Sequence, residues 1–390
     1  MKRTHFGSRS RAARGAEQLT WLATGLSRSG SRVEDAYWEV RLAAQVDRLL
    51  RAGNEDSLTA ALDLLYKDEG RAYEELADVV EARTESGTVQ VDETDCDFVL
   101  IAAPVLAWSR FAIPTGAIGD STLAALAVQL SAHVLAKDVR LALANFLFGP
   151  DQLPRGYVPT YALASELVSA AVAGRHLAVE AGNLPSTNAF LADTRYLVGV
   201  AVVPRGAPLF RWQEEDGNRD QALAQWREQG GPSLQPMLTG CAHEILLPDA
   251  YFSACRAADR FARPYSIKAT VAFLQLTLEL EPGDLRAVIA GCYDTRLEEY
   301  RVAFTRRGHS DVLHGVVWPL LEAEDENTDT IPQIESVLNE VGVRDIRVLD
   351  ARFPMEFCED CGAPLYPDPE GEVVHAELPE ESEDRPPQLH

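Results

Sequence analysis

Two kinds of apolar patterning divide the chain, and the change falls near residue 97. Before it, apolar residues recur at helical spacing. Leu58, Ala61, Leu62, Leu65 and Tyr66 stand at i, i+3, i+4, i+7 and i+8, one stripe along a helix. Tyr73, Leu76 and Val80 carry the idea into a further helix. Ser31-x-x-Glu34 has the form of a capping box, in which each side chain satisfies a free amide at a helix start. A long helix is therefore predicted from there to just before Gly53.

After residue 97 the apolar residues run together. Phe98-Val99-Leu100-Ile101-Ala102-Ala103 and Leu197-Val198-Gly199-Val200-Ala201-Val202-Val203 read as strands covered on both faces. Between them, helices are predicted over about 121–137 and 160–174, with the run Leu141 to Phe148 separating them. Strands alternating with helices give the α/β class. A second such stretch has a strand at Glu244-Ile245-Leu246-Leu247 and a helix over about 266–279. Paired strands follow at Arg301 to Thr305 and Leu313 to Leu321, turning at Gly308. A helix from Asp329 to Glu340 and a strand at Ile346 to Leu349 complete it.

The two stretches share an order. Ala207-Pro208-Leu209-Phe210 leads into Gln213-Glu214-Glu215-Asp216, a helix and Gly230. Trp318-Pro319-Leu320-Leu321 leads into Glu322-Ala323-Glu324-Asp325, a helix and Gly342. A decayed duplication of one α/β unit and a chance likeness both fit. The predicted organisation is a disordered basic arm (1–14), a helical region (15–88), a first α/β unit (89–240), a second (241–352), a zinc-ribbon-like hairpin (353–379) and a disordered acidic tail (380–390).

Charge narrows the partners. The 390 residues carry a formal net charge of -24. Such a surface repels nucleic-acid phosphates and anionic membranes, so the expected partner is a protein. A basic partner and plain solubility both account for the acidity. No apolar run reaches the roughly 20 residues of a membrane helix, and the basic N-terminus lacks the apolar core of a secretion signal. The expected location is the cytoplasm. Six irregularly spaced cysteines agree with a reducing compartment.

The sharpest chemical signal is Phe357-Cys358-Glu359-Asp360-Cys361-Gly362. Two thiolates on a tight turn can grip one Zn²⁺, and the glycine permits the left-handed backbone that closes the turn. Asp368-Pro369-Glu370-Gly371 can make a hairpin turn, with Val373-Val374 as the returning strand. His375 then stands where a third ligand belongs. Leu378 occupies the fourth position and cannot ligate. Glu377, Glu380, His314 or a cysteine folded nearby could substitute. The motif reads as one structural zinc on Cys358, Cys361 and His375, as a metal-free relic of a ribbon, or as a redox dithiol. Against the last, no helix follows the first cysteine, and Glu359 and Asp360 disfavour thiolate.

Other candidates each have a plainer reading. Cys241-Ala242-His243 could lend ligands to the knuckle, or be a buried cysteine beside an incidental histidine. Gly119-Asp120-Ser121 has the form of a lipase-like nucleophile block. Pro114-Thr115-Gly116 precedes it where that block needs an apolar strand, so Asp120 or Ser121 is expected to cap a helix. His133 reads as a satisfied core histidine. His314 is the best candidate base, poised to meet Glu322 or Asp325 at a strand end. The acidic loops 213–216 and 322–326 could bind Mg²⁺ or simply be solvated. Phosphate-loop, dinucleotide-turn and Gly-x-Ser-x-Gly signatures are missing from the sequence.

Three segments carry a family likeness. They are Pro204-Arg205-Gly206-Ala207-Pro208-Leu209-Phe210-Arg211-Trp212-Gln213-Glu214-Glu215-Asp216, then Leu246-Leu247-Pro248-Asp249-Ala250-Tyr251-Phe252, and Cys361-Gly362-Ala363-Pro364-Leu365-Tyr366-Pro367. With them the chain resembles an uncharacterised bacterial family recorded only as a domain of unknown function. That resemblance implies no activity and no catalytic residue. The expected function is a non-catalytic cytoplasmic interaction or regulatory protein. The alternatives are an enzyme of hydrolase type near His314 and the acidic loops, and an RNA- or ribosome-associated factor using residues 1–14 and the knuckle.

Overall fold

The computed structural model describes residues 11–68, 70–110, 112–187, 190–321 and 324–378. Four helices open the chain: α1 (Arg11–Ser27), α2 (Arg32–Arg51), α3 (Glu55–Asp68) and α4 (Gly70–Glu85). Ser31 Oγ accepts the Glu34 amide at 3.2 Å, as the capping motif requires. The Glu34 carboxylate answers one residue early, on the Gly30 amide at 3.3 Å. Gly53, at φ +64, turns the chain after α2. Leu58, Ala61, Leu62 and Leu65 are buried as their spacing predicts. Tyr66 is not; it points outward and takes a 2.6 Å hydrogen bond from Arg296. The basic arm was expected to be disordered through residue 14. Arg11 to Arg14 instead form the first turn of α1. The rest of that arm and the acidic tail lie outside the described residues.

The first sheet holds β1 (Ser86–Val91), β2 (Thr94–Trp108), β3 (Gly116–Ala117), β4 (Arg140–Phe148), β5 (Ala192–Pro204), β6 (Ala242–Ile245) and β7 (Asp249–Ala250). Its order is β1-β2-β5-β4-β3, with β6 and β7 also pairing with β2, and every pairing is antiparallel. Both faces are covered, which is why its strands read as unbroken apolar runs. Leu100, Ala102, Leu106, Val198 and Val200 pack against α6 (Tyr157–Val172). Ile101, Ala103, Val105 and Leu197 pack against α5 (Asp120–His133) and the turn-rich segment of α7 (Arg219–Gln225), a π-helical turn at Trp226–Gly230, and α8 (Gly231–Leu234). Because β6 and β7 pair with β2, residues 242–250 belong to the first sheet. The passage between sheets therefore lies after them, not at 240/241.

That passage is α9 (Tyr251–Leu278), a single helix serving both sheets. Ala254 and Ala258 join the core of the first sheet, and Ile267, Val271, Phe273 and Leu274 join that of the second. Pro264 sits between the two halves. The second sheet, ordered β10-β9-β8-β11, uses β8 (Leu285–Tyr293), β9 (Leu297–Arg306), β10 (Val312–Pro319) and β11 (Asp345–Pro354). β11 runs parallel to β8, and α10 (Thr330–Glu340) makes the connection from β10. The shared strand, acidic loop, helix and glycine order does not carry a shared topology. β5 is interior and paired on both sides, whereas β10 is an edge strand paired only with β9. A small hairpin, β12 (Tyr366–Pro367) and β13 (Val373–Val374), closes the described chain.

Candidate metal centre

The knuckle is built by backbone hydrogen bonds. Phe357 and Pro364 bridge. The Cys358 amide donates to Ala363 O at 2.8 Å, and the Gly362 amide returns to Cys358 O at 2.8 Å. Gly362 sits at φ +72, the left-handed value its place in the turn demands. Asp368 then shapes the predicted hairpin turn, its Oδ1 accepting the amides of Glu370 and Glu372 at 2.9 Å each. Tyr366 pairs with Val374, and the next residue, His375, arrives beside the turn.

The result gathers Cys358, Cys361 and His375, whose ligand atoms all lie within 4.8 Å of one another. Cys361 Sγ is 3.2 Å from His375 Nε2. The amides of Cys361 and Asp360 donate toward the Cys358 sulfur and hold its thiol below the ordinary range. The Asp360 charge opposes this, as expected from the sequence, but it is the weakest of the contributions. Near amides outweigh a side-chain charge that points into water.

Of the substitute fourth ligands, none joins this group among the described residues. Glu377 Oε1 lies 3.9 Å from His375 Nδ1, on the far side of the ring from Cys361. A carboxylate there orients the imidazole rather than ligating beside it. Glu380 lies outside the described residues. His314 pairs with Phe304 and rests 5.6 Å from the Phe273 ring of α9. The knuckle packs on the opposite face: a Cβ on Gly315, the next residue, would come within 2.2 Å of the Tyr366 ring. Cys241 is buried on entry to β6, its thiol pushed up by that burial, and burial draws His243 below its ordinary value.

The described part of the acidic loop expected to meet His314 is tied within itself and to arginines. Glu324 is held by Arg263 at 2.6 Å, Asp325 caps Asn327 and Thr328, and Glu326 faces Arg352 at 3.3 Å. Glu322 lies outside the described residues. In the other loop, Glu214 accepts the Lys137 amide at 3.4 Å. Neither loop forms a group of three or more metal-compatible side chains among the described residues. Gly119, not Asp120 or Ser121, is the N-cap of α5 and makes no side-chain cap bond. His133 meets Gln225 at 3.0 Å.

Sequence reading missed what seats the knuckle. Arg301 in β9 is fully buried and bonds Glu299 at 2.7 Å. Its Nη1 donates to Glu356 O and Leu365 O, both at 2.6 Å, one on each side of the turn. The guanidinium lies 5.1 Å from the Phe357 ring. Tyr366 joins Val288, Ala303 and Val312 in a small core, and burial pushes its hydroxyl up to about 12. The only signal in the sequence was an arginine directly before the apolar run Val302-Ala303-Phe304.

A cleft of about 430 Å³ lies between β10 and the knuckle, lined by His314, His375, Glu377 and Leu378 among others. A neighbour of about 500 Å³ is lined by Phe190, Thr270, Val317 and Cys361 among others.

The chain belongs to the family described as "Protein of unknown function (DUF2863)", which matches residues 4–389. No curated protein and no solved structure matches it.

Proposed function

We propose that this family member is a zinc-holding interaction protein, with one structural Zn²⁺ on Cys358, Cys361 and His375. The observation that carries the metal is the convergence of two thiols and one imidazole within 4.8 Å. Tetrahedral Zn²⁺, with bonds of about 2.3 Å to sulfur and 2.0–2.1 Å to nitrogen, needs its donors about 3.4–3.8 Å apart. Cys361 Sγ and His375 Nε2, at 3.2 Å, need only part slightly, and the separations within the group, all under 4.8 Å, need only small adjustments, to meet that. The ion supplies a fixed point that holds the turn and the returning hairpin together over the second sheet.

An exposed aromatic face on α1 and α2 supports the interaction half of the reading. Trp21, Trp38 and Tyr37 contact edge to face, with centroids 5.1 and 5.2 Å apart. Trp21 and Val40 are 59% and 67% exposed. Contiguous apolar surface of this kind marks protein contacts. The enzyme reading keeps one supporting observation, a cleft lined by both His314 and Glu377. Among the described residues, no helix is long and apolar enough to cross a membrane.

Protein purified without chelators is expected to contain one zinc per chain by elemental analysis, and Cys358→Ser to lose it. A wild-type content far below one ion per chain defeats the metal half. Capture of the tagged protein from its own cells, beside a Trp21→Ala/Tyr37→Ala variant, tests the other half. The expected outcome is a partner that the variant fails to retain.

A further inference from the structure

We infer that the metal's fourth position is left to an outside ligand, a thiol with an uncharged apolar body, seated in the groove along β10. The inference rests on the proposed metal. It goes further by naming what completes the coordination.

The first ground is the disposition of the chain's own donors. Glu377 stands behind His375, on its Nδ1 side. His314 lies on the α9 face of the sheet and contacts Phe273. Leu378 packs into the apolar core of the second sheet. Among the described residues the group offers three donors, and three protein donors is the pattern of zinc sites that accept an exchangeable fourth ligand.

The second ground is the surface beside the donors. His375 borders one cleft and Cys361 the other, and the two clefts share His314, Gly315, Ala363, Pro364 and Tyr366. Through these shared residues they make one groove along β10, the edge strand of the second sheet, with His375 and Cys361 on its wall. Volumes of about 430 and 500 Å³ suit a small molecule.

The third ground is the lining. Phe190, Leu191, Leu313, Val316 and Ala376 make it largely apolar, and neither cleft is lined by a lysine or arginine. Glu377 adds negative charge at one mouth. An anionic body would be desolvated there without a partner. A soft thiolate-rich donor set favours a soft donor head. The thiol's sulfur forms the bond to the metal as its proton leaves to solvent, so no oxidant or reductant is needed.

The test uses the full chain loaded with Co²⁺, whose visible spectrum reports its ligands. The probe is phenylmethanethiol, with 2-mercaptoethanesulfonate as the charged comparison. Cobalt uptake is expected, then a saturable spectral change with phenylmethanethiol and binding about tenfold weaker or worse with the sulfonate. Phe190→Asp, at an exposed residue of the groove that is not one of the three donors, should weaken phenylmethanethiol about fivefold and leave the resting spectrum unchanged. Glu380→Gln and His314→Ala should also leave the resting spectrum unchanged. If cobalt is not taken up, the metal reading falls and takes this inference with it. If cobalt is bound but the thiol changes nothing, the inference alone falls. It also falls if Glu380→Gln or His314→Ala alters the resting spectrum, because the chain then fills the fourth position itself. Equal binding by Phe190→Asp places the thiol outside the groove and overturns the proposal as well.

Discussion

The N-terminal helices and the C-terminal knuckle are both fastened to the body through polar side chains that meet backbone groups, but with opposite chemistry. At the first seam, carboxylates meet amides. Glu55, at the start of α3, accepts from Tyr157 N at 2.9 Å and Val158 N at 2.6 Å, the free donors that open α6. Glu85, at the end of α4, accepts from Phe252 N at 2.9 Å, where α9 opens. At the second seam, a guanidinium meets carbonyls. Arg301 takes Glu356 O and Leu365 O, both at 2.6 Å. Each seam supplies what the facing backbone lacks. The lesson lies in titration: a guanidinium keeps its charge at every ordinary pH, whereas a half-buried carboxyl does not.

The largest expected effect comes from breaking the arginine seam. Arg301→Ala strands the buried Glu299 carboxylate and two carbonyl oxygens. Removing one partner of a buried ion pair costs about 3–5 kcal/mol, to be read by urea unfolding. The knuckle should loosen with it, visible as faster amide exchange over 356–375. A loss below about 1 kcal/mol would mean that Tyr366 and its apolar neighbours hold the knuckle and that Arg301 behaves as a surface charge.

How much of each seam could be read in the sequence follows from its range. Local signals were legible: the Ser31 cap, the Leu58 to Leu65 stripe, the Gly308 turn, and the spacing that brings His375 back to Cys361. The unbroken apolar runs of β2 and β5 announced a sheet covered twice. What stayed hidden depended on distant partners. Arg301 bonds carbonyls 55 and 64 residues later, which no periodicity records. The first half of α9 was obscured because Arg256, Asp259, Arg260 and Arg263 interrupt its apolar face and Pro264 breaks the pattern. β8 went unread although Leu285 to Cys292 is largely buried and it pairs with β9, the next strand along the chain. Pairing of β6 with β2 spans more than a hundred residues, so 242–250 looked like the start of a new unit.

A smaller effect tests whether the arginine seam is also steric. Gly315→Ala places a methyl 2.2 Å from the Tyr366 ring, which must then lift from β10. Overpacking of this kind costs about 1–3 kcal/mol. Exchange should quicken over 356–375 and stay unchanged over 98–106 in the first sheet. A second substitution, Tyr366→Leu, should recover part of the loss by removing the ring that clashes. Equal destabilisation with and without the ring would show that the strand itself, and not the contact, is disturbed.

The smallest effect probes the carboxylate seam and separates it from the other by pH. Burial raises the Glu85 carboxyl from about 4.5 to about 7. The Phe252 amide and Arg256 oppose the rise, and Glu81 and Asp249 add to it. The folded chain therefore binds this proton more tightly than the unfolded chain does. Its contribution to stability is fully present below about pH 4.5 and is lost as pH rises through about 7. Glu85→Gln fixes the neutral form and keeps an oxygen for the Phe252 amide. Wild type and variant should converge near pH 5, while at pH 8 the variant should be the more stable by about 1 kcal/mol, discounted for partial exposure. Taking the difference between the two proteins removes the titration of every other carboxylate. Arg301→Ala, measured the same way, should lose the same stability at both pH values. A Glu85→Gln gap that is independent of pH, or one that widens toward pH 5, would show that this carboxyl is not held protonated against α9 and that the two seams do not differ in kind.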